Sequence, residues 1–515
     1  MTRQLLAAAL ALAGAGGAAA ADLRVPQDHK TVQAAVDAAK PGDTVVVAPG
    51  TYRESVRLRP RVALRSAGDD APGAAGLRRA EATVIDGGKD AKQPGVLMAE
   101  GSTLDGFTVT NVGTYDEAVW KKHFDSQGEE LGDEEGAVRA EGTNPAVSVV
   151  GVSCTVTRCV VHHNGDVGIG VLGKAGATTE PLVTGNLVYR NMGGGIGVAE
   201  GAEPVVRGNT CKENLRAGIG CRKANPVVTG NTCSHNVRAG IGVREGAKPV
   251  IRGNACFQNR RAGIGIRTEG TEPVVDGNEC YENEMAGIGT RDGAKPVLRN
   301  NVCRKNKLAG IGARDGAEPL IVGNECRDNK AAGIGVQKAN AVIHRNTCAG
   351  NELVAIGVTD GATATVTDNT LSRTGGQPPL IAVKDGSTAT VRDNRISGGG
   401  VAAVLVQGKA TVTGNTFTGA NPKQGTAVWV WADSTATVAD NAFTGYRTAV
   451  SATKAAVAVT GNTVDKFQGA AIIVKDSAKP AHVHGNTAVT ADPRAAVVEL
   501  SGPTGVVADN VIKKQ

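Results

Sequence analysis

Between Pro204 and Asn351 one pattern of apolar and polar positions returns about every 23 residues. An apolar column runs Val206, Val228, Ile251, Val275, Leu298, Ile321 and Ile343, and an asparagine follows each member three residues later, from Asn209 to Asn346. A cysteine column, Cys211 to Cys348, comes two residues after that, and a second asparagine column, Asn214 to Asn351, three residues further on. Each copy closes on an isoleucine column, Ile219, Ile241, Ile264, Ile288, Ile311, Ile334 and Ile356. No helical period is present. Short alternating runs separated by Gly, Asn and Pro predict about three short strands and three turns per copy. A fixed period of this length means a solenoid, whose coils stack in parallel about 4.8 Å apart because none buries its apolar face alone. Alternation within Gly-Ile-Gly-Val-Arg places Ile241 and Val243 inward and Gly242 and Arg244 outward. The asparagines fit turns, where Asn tolerates the left-handed conformation and its amide can bond the amide one coil away.

This pattern resembles the right-handed parallel β-helix repeat of the pectin-lyase-like superfamily, over nearly all of the chain after residue 21. It is similar above all to the carbohydrate-binding and sugar-hydrolase type of repeat, a group that includes NosD-like periplasmic maturation proteins and alginate epimerases. The resemblance implies an all-β right-handed parallel β-helix with a short N-terminal helical cap. It also implies a polysaccharide as ligand or substrate, or a NosD-like accessory role in metalloenzyme maturation.

Taken in order, residues 1–21 read as a signal peptide: Arg3, then an apolar run from Leu5 to Leu12, then Ala18-Ala19-Ala20 before cleavage. The run is too short to span a membrane, so the expectation is a secreted or periplasmic monomer. Residues 22–55 hold the cap. Thr31 can start a short helix with Val32, Ala35, Val36 and Ala39 on one face, Pro41-Gly42-Asp43 stops it, and Thr44–Val47 reads as the first strand. Coils then fill 56–515. A loop insert at about 113–143 interrupts them, with Tyr115, Trp120, His123 and Phe124 and an acidic run, Glu129, Glu130, Asp133, Glu134 and Glu135. Insertions in solenoids form loops on one face, often the binding face. Aromatics that merely pin the loop to the coil are the other reading. After Cys348 the cysteine slot passes to Leu371, Ile396, Phe417 and Phe443, so cysteine alternates there with ordinary core residues.

The chain has 515 residues, 70 of them Gly, and a net charge of +6, too mild to point to nucleic acid. Its ten cysteines admit a reduced ladder inside a dry core, cross-rung disulfides, or a thiolate-bound metal. In-register thiols on parallel strands suit disulfide torsions poorly, and no CxxC or Cys-His spacing marks a metal site. Copper enters only through the NosD resemblance, and Ca²⁺ only if the protein is a lyase. Cys154 and Cys159 stand outside the ladder and can pair with each other.

The outward face carries the sharper signal. Two residues after each Gly-Ile-Gly stand Arg222, Arg244, Arg267, Arg291 and Arg314, followed by Gln337 and Thr359 in the same column. Beside them the outward glycines, Gly220 to Gly335, predict a flat strip about 30 Å long, with Trp429 and Trp431 at its C-terminal end. Arg forks match carboxylates or sulfates, and Trp stacks on sugar rings. Stacked Arg repel by about 1 kcal/mol per neighbouring pair even in water; Glu245, Asp292 and Asp315 offset part of it. Repeat duplication and turn geometry are the bland explanations of the same columns. The catalytic signatures of methylesterases, polygalacturonases and epimerases are absent. The remaining catalytic candidates are His162, His163 and Asp166, just after the insert. The sequence thus predicts a scaffold that binds an extracellular, acidic polysaccharide, with a lyase, epimerase or hydrolase as the alternative.

Overall fold

A computed structural model describes residues 20–90, 92–128, 144–176, 179–384, 386–477 and 479–514. Residues 1–19, within the stretch read as a signal peptide, and the acidic run at 129–135 lie outside the described residues. The chain winds as a parallel β-helix in which successive coils supply strands to three long parallel sheets, with 20, 19 and 18 described strands. Each sheet grows by pairing with the coil before and after. In the first, Val206, Val228, Ile251 and Val275 are in register. In the second, Cys211, Cys233, Cys256 and Cys280 are, and in the third, Ile219, Ile241, Ile264 and Ile288. These columns are fully buried and form one continuous core.

The corners between sheets are closed by stacked amides. From Asn186 to Asn510, each Nδ2 donates to the Oδ1 of the next coil's asparagine at 2.9–3.0 Å. A second ladder from Asn164 to Asn351 has steps of 2.9–3.1 Å. Each rung adds a backbone bond. Asn254 N–H, for instance, donates to Asn278 Oδ1 at 2.9 Å, and Asn254 Nδ2 to Val228 O at 3.0 Å. The side chains are buried, so these bonds satisfy amides that water cannot reach.

The expectation that the asparagines themselves take the left-handed conformation is corrected. The residue before each one does: Gly230, Gly253 and Gly277 at the first corner, and His235, Gln258 and Glu282 (φ 51–55°) at the second. The left-handed residue turns the chain and leaves the following asparagine aimed inward. At the second corner this is enforced on residues with a Cβ, because the ladder outweighs a local cost of about 1–2 kcal/mol.

At the N-terminal end, α1 (Val32–Ala38) buries Val32, Ala35 and Val36, and its first turn is capped by Thr31 Oγ1, which accepts from Ala34 N–H at 3.1 Å. The first strand is not Thr44–Val47 but Asp22–Val25, which precedes the helix and pairs with Thr44–Val47 in parallel. Here Phe107 and Cys159 hold the slots that asparagine fills later, and an ion network takes over. Buried Arg79 donates to Asp105 Oδ1 (2.7 Å), Ser66 Oγ (2.9 Å) and Asp70 Oδ1 (2.5 Å), and Arg158 closes the same pair of acids. Arg79 sits in a short helix, α2 (Arg78–Ala82), and the insert is not simply a loop, since Glu117–Asp125 form a helix, α3, capped by Asp116.

All ten cysteines are free, buried thiols. Burial pushes the Cys221 thiol up to about 12, and the adjoining Cys326 thiol together with burial pushes Cys348 well above the usual range. Cysteine is also a matter of size. A Cβ at Gly263 would lie 2.8 Å from Asn283 Nδ2 and 3.0 Å from Cys280 Cβ, and one at Gly310 would meet Asn329 Nδ2 and Cys326 Cβ equally closely.

Two stability predictions follow from these contacts. Asn278→Ala takes the acceptor from two Asn254 N–H groups and should cost about 3 kcal/mol, read as faster hydrogen exchange in the flanking strands. Asn510→Ala, half-buried at the last rung, should cost under about 1 kcal/mol. Cys280→Val should be nearly neutral, whereas Cys280→Leu overpacks the corner and should cost about 1–3 kcal/mol, seen as a lower Tm.

Candidate functional site

The third sheet's outer face bears the strip. Its outward glycines pair from Gly170 through Gly197, Gly220, Gly242, Gly265, Gly289, Gly312 and Gly335 to Gly357, a run of about 38 Å at ~4.8 Å per rung. The column then fills with Ala382, Leu405 and Trp429.

The two glycines of each Gly-Ile-Gly differ physically. The first is required by the fold: a Cβ at Gly240, Gly287 or Gly310 would sit 2.8–2.9 Å from an asparagine Nδ2 and 2.7–2.8 Å from the next coil's carbonyl oxygen. The second is not. It lies in a strand with no positive φ. Among the described residues a Cβ at Gly220 meets nothing within 4 Å, and one at Gly242 or Gly265 meets only an alanine Cβ at 3.5 Å. Turn geometry therefore does not explain the outward glycine, which weakens a strand and elsewhere marks close approach of a ligand or backbone.

Two rims flank this floor. On one side Arg222, Arg244, Arg267 and Arg291 are half-buried, and Arg314 is exposed. Each is engaged: Arg222 with Glu200 (2.5 Å), Arg244 with Glu245 (3.5 Å), Arg291 with Asp292 (3.4 Å), Arg314 with Asp315 (3.5 Å), and Arg267 also has a polar partner. The opposite rim went unread in the sequence, although Arg-Ala-Gly-Ile-Gly recurs at Arg216, Arg238 and Arg261. Further along, that rim turns apolar, with Met285, Leu308 and Leu353 exposed. The rims feel each other. Burial first, then the charges of Arg267, Arg222 and Arg216, push the Arg244 guanidinium below its usual range, against the pull of Glu245. The strip thus concentrates positive charge around a floor without side chains.

Trp429 and Trp431 stack on each other at 5.3 Å and 5°. Trp431 continues the arginine column after Gln337, Thr359, Lys384 and Gln407, which puts it about 24 Å beyond Arg314. The Trp pair and the Arg run therefore act on one ligand only if that ligand is extended.

The insert sits on the corner between the second and third sheets. Trp120 is buried against Leu215 and Val237, and its Nε1 donates to Glu213 O at 2.8 Å. Arg190 lies over the Trp120 ring at 4.3 Å and grips Glu117 (2.7 Å) and Glu213 (2.7 Å). Arg260 packs over Phe124, and Arg261 donates to Gln127 O and Gly128 O. The described aromatics thus pin the insert to the coil.

The candidates His162, His163 and Asp166 lie on either side of a corner. His162 and His163 face each other through their Nδ1 atoms at 2.7 Å and pack among Tyr115 and Tyr189. The charges acting on His163 are Arg190, Glu117 and Glu213. Asp166 lies buried past the corner and acts on Arg216. Residues so close in sequence are parted because the second asparagine corner, Asn164, stands between them. Burial pushes His162 down to about 4, helped by the charge of His163, so this pair is neutral packing at neutral pH. Among the described residues no group of three or more His, Cys, Asp or Glu is arranged to hold a metal ion. Nor is any described helix long and apolar enough to cross a membrane.

A three-sheeted parallel β-helix that displays a long side-chain-free strip between basic rims is the class defined by this fold and surface. More particularly, the chain belongs to the right handed beta helix family, whose model matches residues 135–279, 257–381 and 379–515. No curated protein sequence matches. Among solved structures it is similar to the catalytic unit of a GH87 alpha-1,3-glucanase from Streptomyces thermodiastaticus, at 15% identity over 74% of this chain and 67% of that one, with a TM-score of 0.41. A periplasmic alginate epimerase is 14% identical over 71% and 81% of the two chains, TM-score 0.40. The Dettilon tailspike protein is 16% identical over 54% and 62%, TM-score 0.35. At these values the likeness concerns the coiled backbone alone.

The His162 environment gives a pH prediction. The folded state holds this imidazole neutral, whereas the unfolded chain takes up a proton below about 6.5. Its contribution to stability is therefore complete above about pH 6.5 and is lost as pH falls towards 4. His162→Phe keeps a ring against Tyr189 and removes the titration. The difference in Tm between pH 7 and pH 4.5 should shrink by several degrees in the variant; an unchanged difference would mean that another group sets the acid limb.

Proposed function

We propose that this protein is an exported, non-catalytic scaffold that binds an extended acidic polysaccharide along the third-sheet strip. The outward glycine column carries the reading: the fold does not need it, it costs strand stability, and it leaves backbone open for a polymer to lie flush. The two arginine rims support an anionic ligand. Guanidinium forks suit carboxylates and sulfates, and carboxylates from a polymer would offset both the burial and the neighbouring charges that depress Arg244. The exposed Trp431 face, far along the same column, suits a sugar ring at the end of an extended chain. Export is read from Arg3, the run Leu5–Leu12 and Ala18–Ala20.

Retardation in gels containing pectate, alginate, a heparin-like glycan or neutral glycans tests this, with new reducing or unsaturated ends assayed in the same samples. Retardation by an acidic glycan without product is expected. Arg244→Ala plus Arg267→Ala should weaken it at least about tenfold, and added salt should weaken it too. Gly242→Leu plus Gly265→Leu should abolish binding while leaving Tm unchanged or raised, because the fold has room for those side chains. Wild-type retardation by the leucine variant would refute the strip as the binding surface, and product formation would make the protein an enzyme.

A further inference from the structure

The second asparagine ladder ends at Asn351, and the way it ends leaves a cleft. In the regular coils the carbonyl of each ladder asparagine accepts from the residue after the next asparagine, as Asn306 O does from Lys330 N–H and Asn329 O from Glu352 N–H, both at 2.9 Å. After Asn351 the next coil carries Thr374-Gly375-Gly376-Gln377-Pro378 and swings wide. Asn351 O is taken instead by Arg373 Nη2, while Arg373 Nη1 donates to Pro378 O at 2.7 Å. The wider turn opens a cavity of about 520 Å³ beside Arg327, Asp328, Asn351, Glu352, Arg373 and Thr374. That is room for a sugar residue or two.

The charges in this cleft do not balance. Arg327 has Glu325 at 2.6 Å and Asp328 at 3.5 Å, and Glu352 is held by Lys330. Arg373 is half-buried, and no described carboxylate lies within the 4 Å reach of an ion pair; both its recorded bonds go to neutral carbonyls. Burial pushes its guanidinium below the usual range with nothing to oppose it. A half-desolvated guanidinium facing open space is a strong partner for a planar anion.

We propose that this cleft is a subsite for one acidic sugar residue, whose carboxylate or sulfate is held by Arg373 and whose hydroxyls bond Asp328 and Glu352 on the rim. It opens from the corner that leads into the third-sheet rungs of Gly357 and Ala382, between Arg314 and Trp431. A chain lying along the strip passes it, so a charged branch or side group can enter. The choice of an acidic sugar rests on the polyanion reading of the strip; the cleft itself does not.

Calorimetric titration of the full-length protein with galacturonate, with galactose and with inorganic sulfate tests the proposal. Galacturonate should bind in the millimolar range, galactose should not, and sulfate should compete. Arg373→Gln should weaken galacturonate at least about tenfold. Because Arg373 also closes the ladder, Thr374→Trp is the second variant: it fills the cleft, leaves the guanidinium and the amides in place, and should block galacturonate equally. Arg244→Ala plus Arg267→Ala should leave this monosaccharide binding unchanged even where polymer retardation is lost, which separates the two sites. The proposal is overturned if galacturonate does not bind, if sulfate alone binds, or if Thr374→Trp binds galacturonate as the wild type does.

Discussion

Stacked, buried amides are the constraint on which the rest of this structure depends. An asparagine side chain offers two N–H donors and an acceptor, so it can bond the coil on each side, repeat without limit and still reach a backbone carbonyl; a hydroxyl has a single O–H and a carboxylate no donor at all. Each rung also draws in a backbone N–H and a backbone carbonyl, as at Asn254. A slip of one residue in any coil would strand all of these groups at once and turn the inward columns outward. The amides therefore fix register as well as stability. Where the ladder slots hold Phe107 and Cys159, register passes to the buried Arg79–Asp105 pair, which satisfies the same corner by charge.

Because the inner columns are so tightly held, the outward columns are free to vary, and that freedom makes the strip interpretable. In each Gly-Ile-Gly the first glycine is pressed between an asparagine amide and the next coil's carbonyl, and no other residue fits. From Gly220 to Gly335 the second glycine is under no such pressure from any described residue. Identical residues two positions apart thus have different causes, one in the fold and one outside it. The guanidinium rims obey the same logic. Stacking like charges works against the fold, and the acids beside Arg244, Arg291 and Arg314 offset it.

The columns, their inward and outward sense, the cap helix and the arginine column were legible in the sequence because each is a local pattern repeated many times. What was not legible depends on relations the repeat does not encode. The left-handed residue of the second corner can be His235, Gln258 or Glu282, so no residue type marks it. The helix α3 is stabilised by Leu215, Val237 and Arg190, far along the chain. His162 and Asp166 looked like neighbours until the corner between them set them on different faces. Arg216, Arg238 and Arg261 did form a readable column, but their place on the opposite rim follows only from how the coil closes. The cleft at Arg373 has no motif at all; it comes from a wider turn where a ladder stops.

The extent of the cysteine column shows how these constraints lock together. Cysteine fills the slot from Cys211 to Cys348, almost the span of the second amide ladder, and gives way to Leu371 on the coil after the ladder ends. In the ladder coils the asparagine amide, the obligatory glycine and the cysteine Cβ crowd one corner, as Gly263, Asn283 and Cys280 do, and the first two ladder coils fill the slot with Val161 and Val188. Once the ladder stops the corner relaxes, and the slot accepts Ile396 and then Phe417 and Phe443, whose rings stack at 4.7 Å. The thiols are thus explained by volume: a small apolar group that fits beneath an amide ladder. Neither a disulfide nor a metal is needed to account for the column. The coil on which cysteine gives way to Leu371 is also the one whose wide turn opens the cleft around Arg373, so the end of one row of hydrogen bonds coincides with a change in the packing inside and in the surface outside.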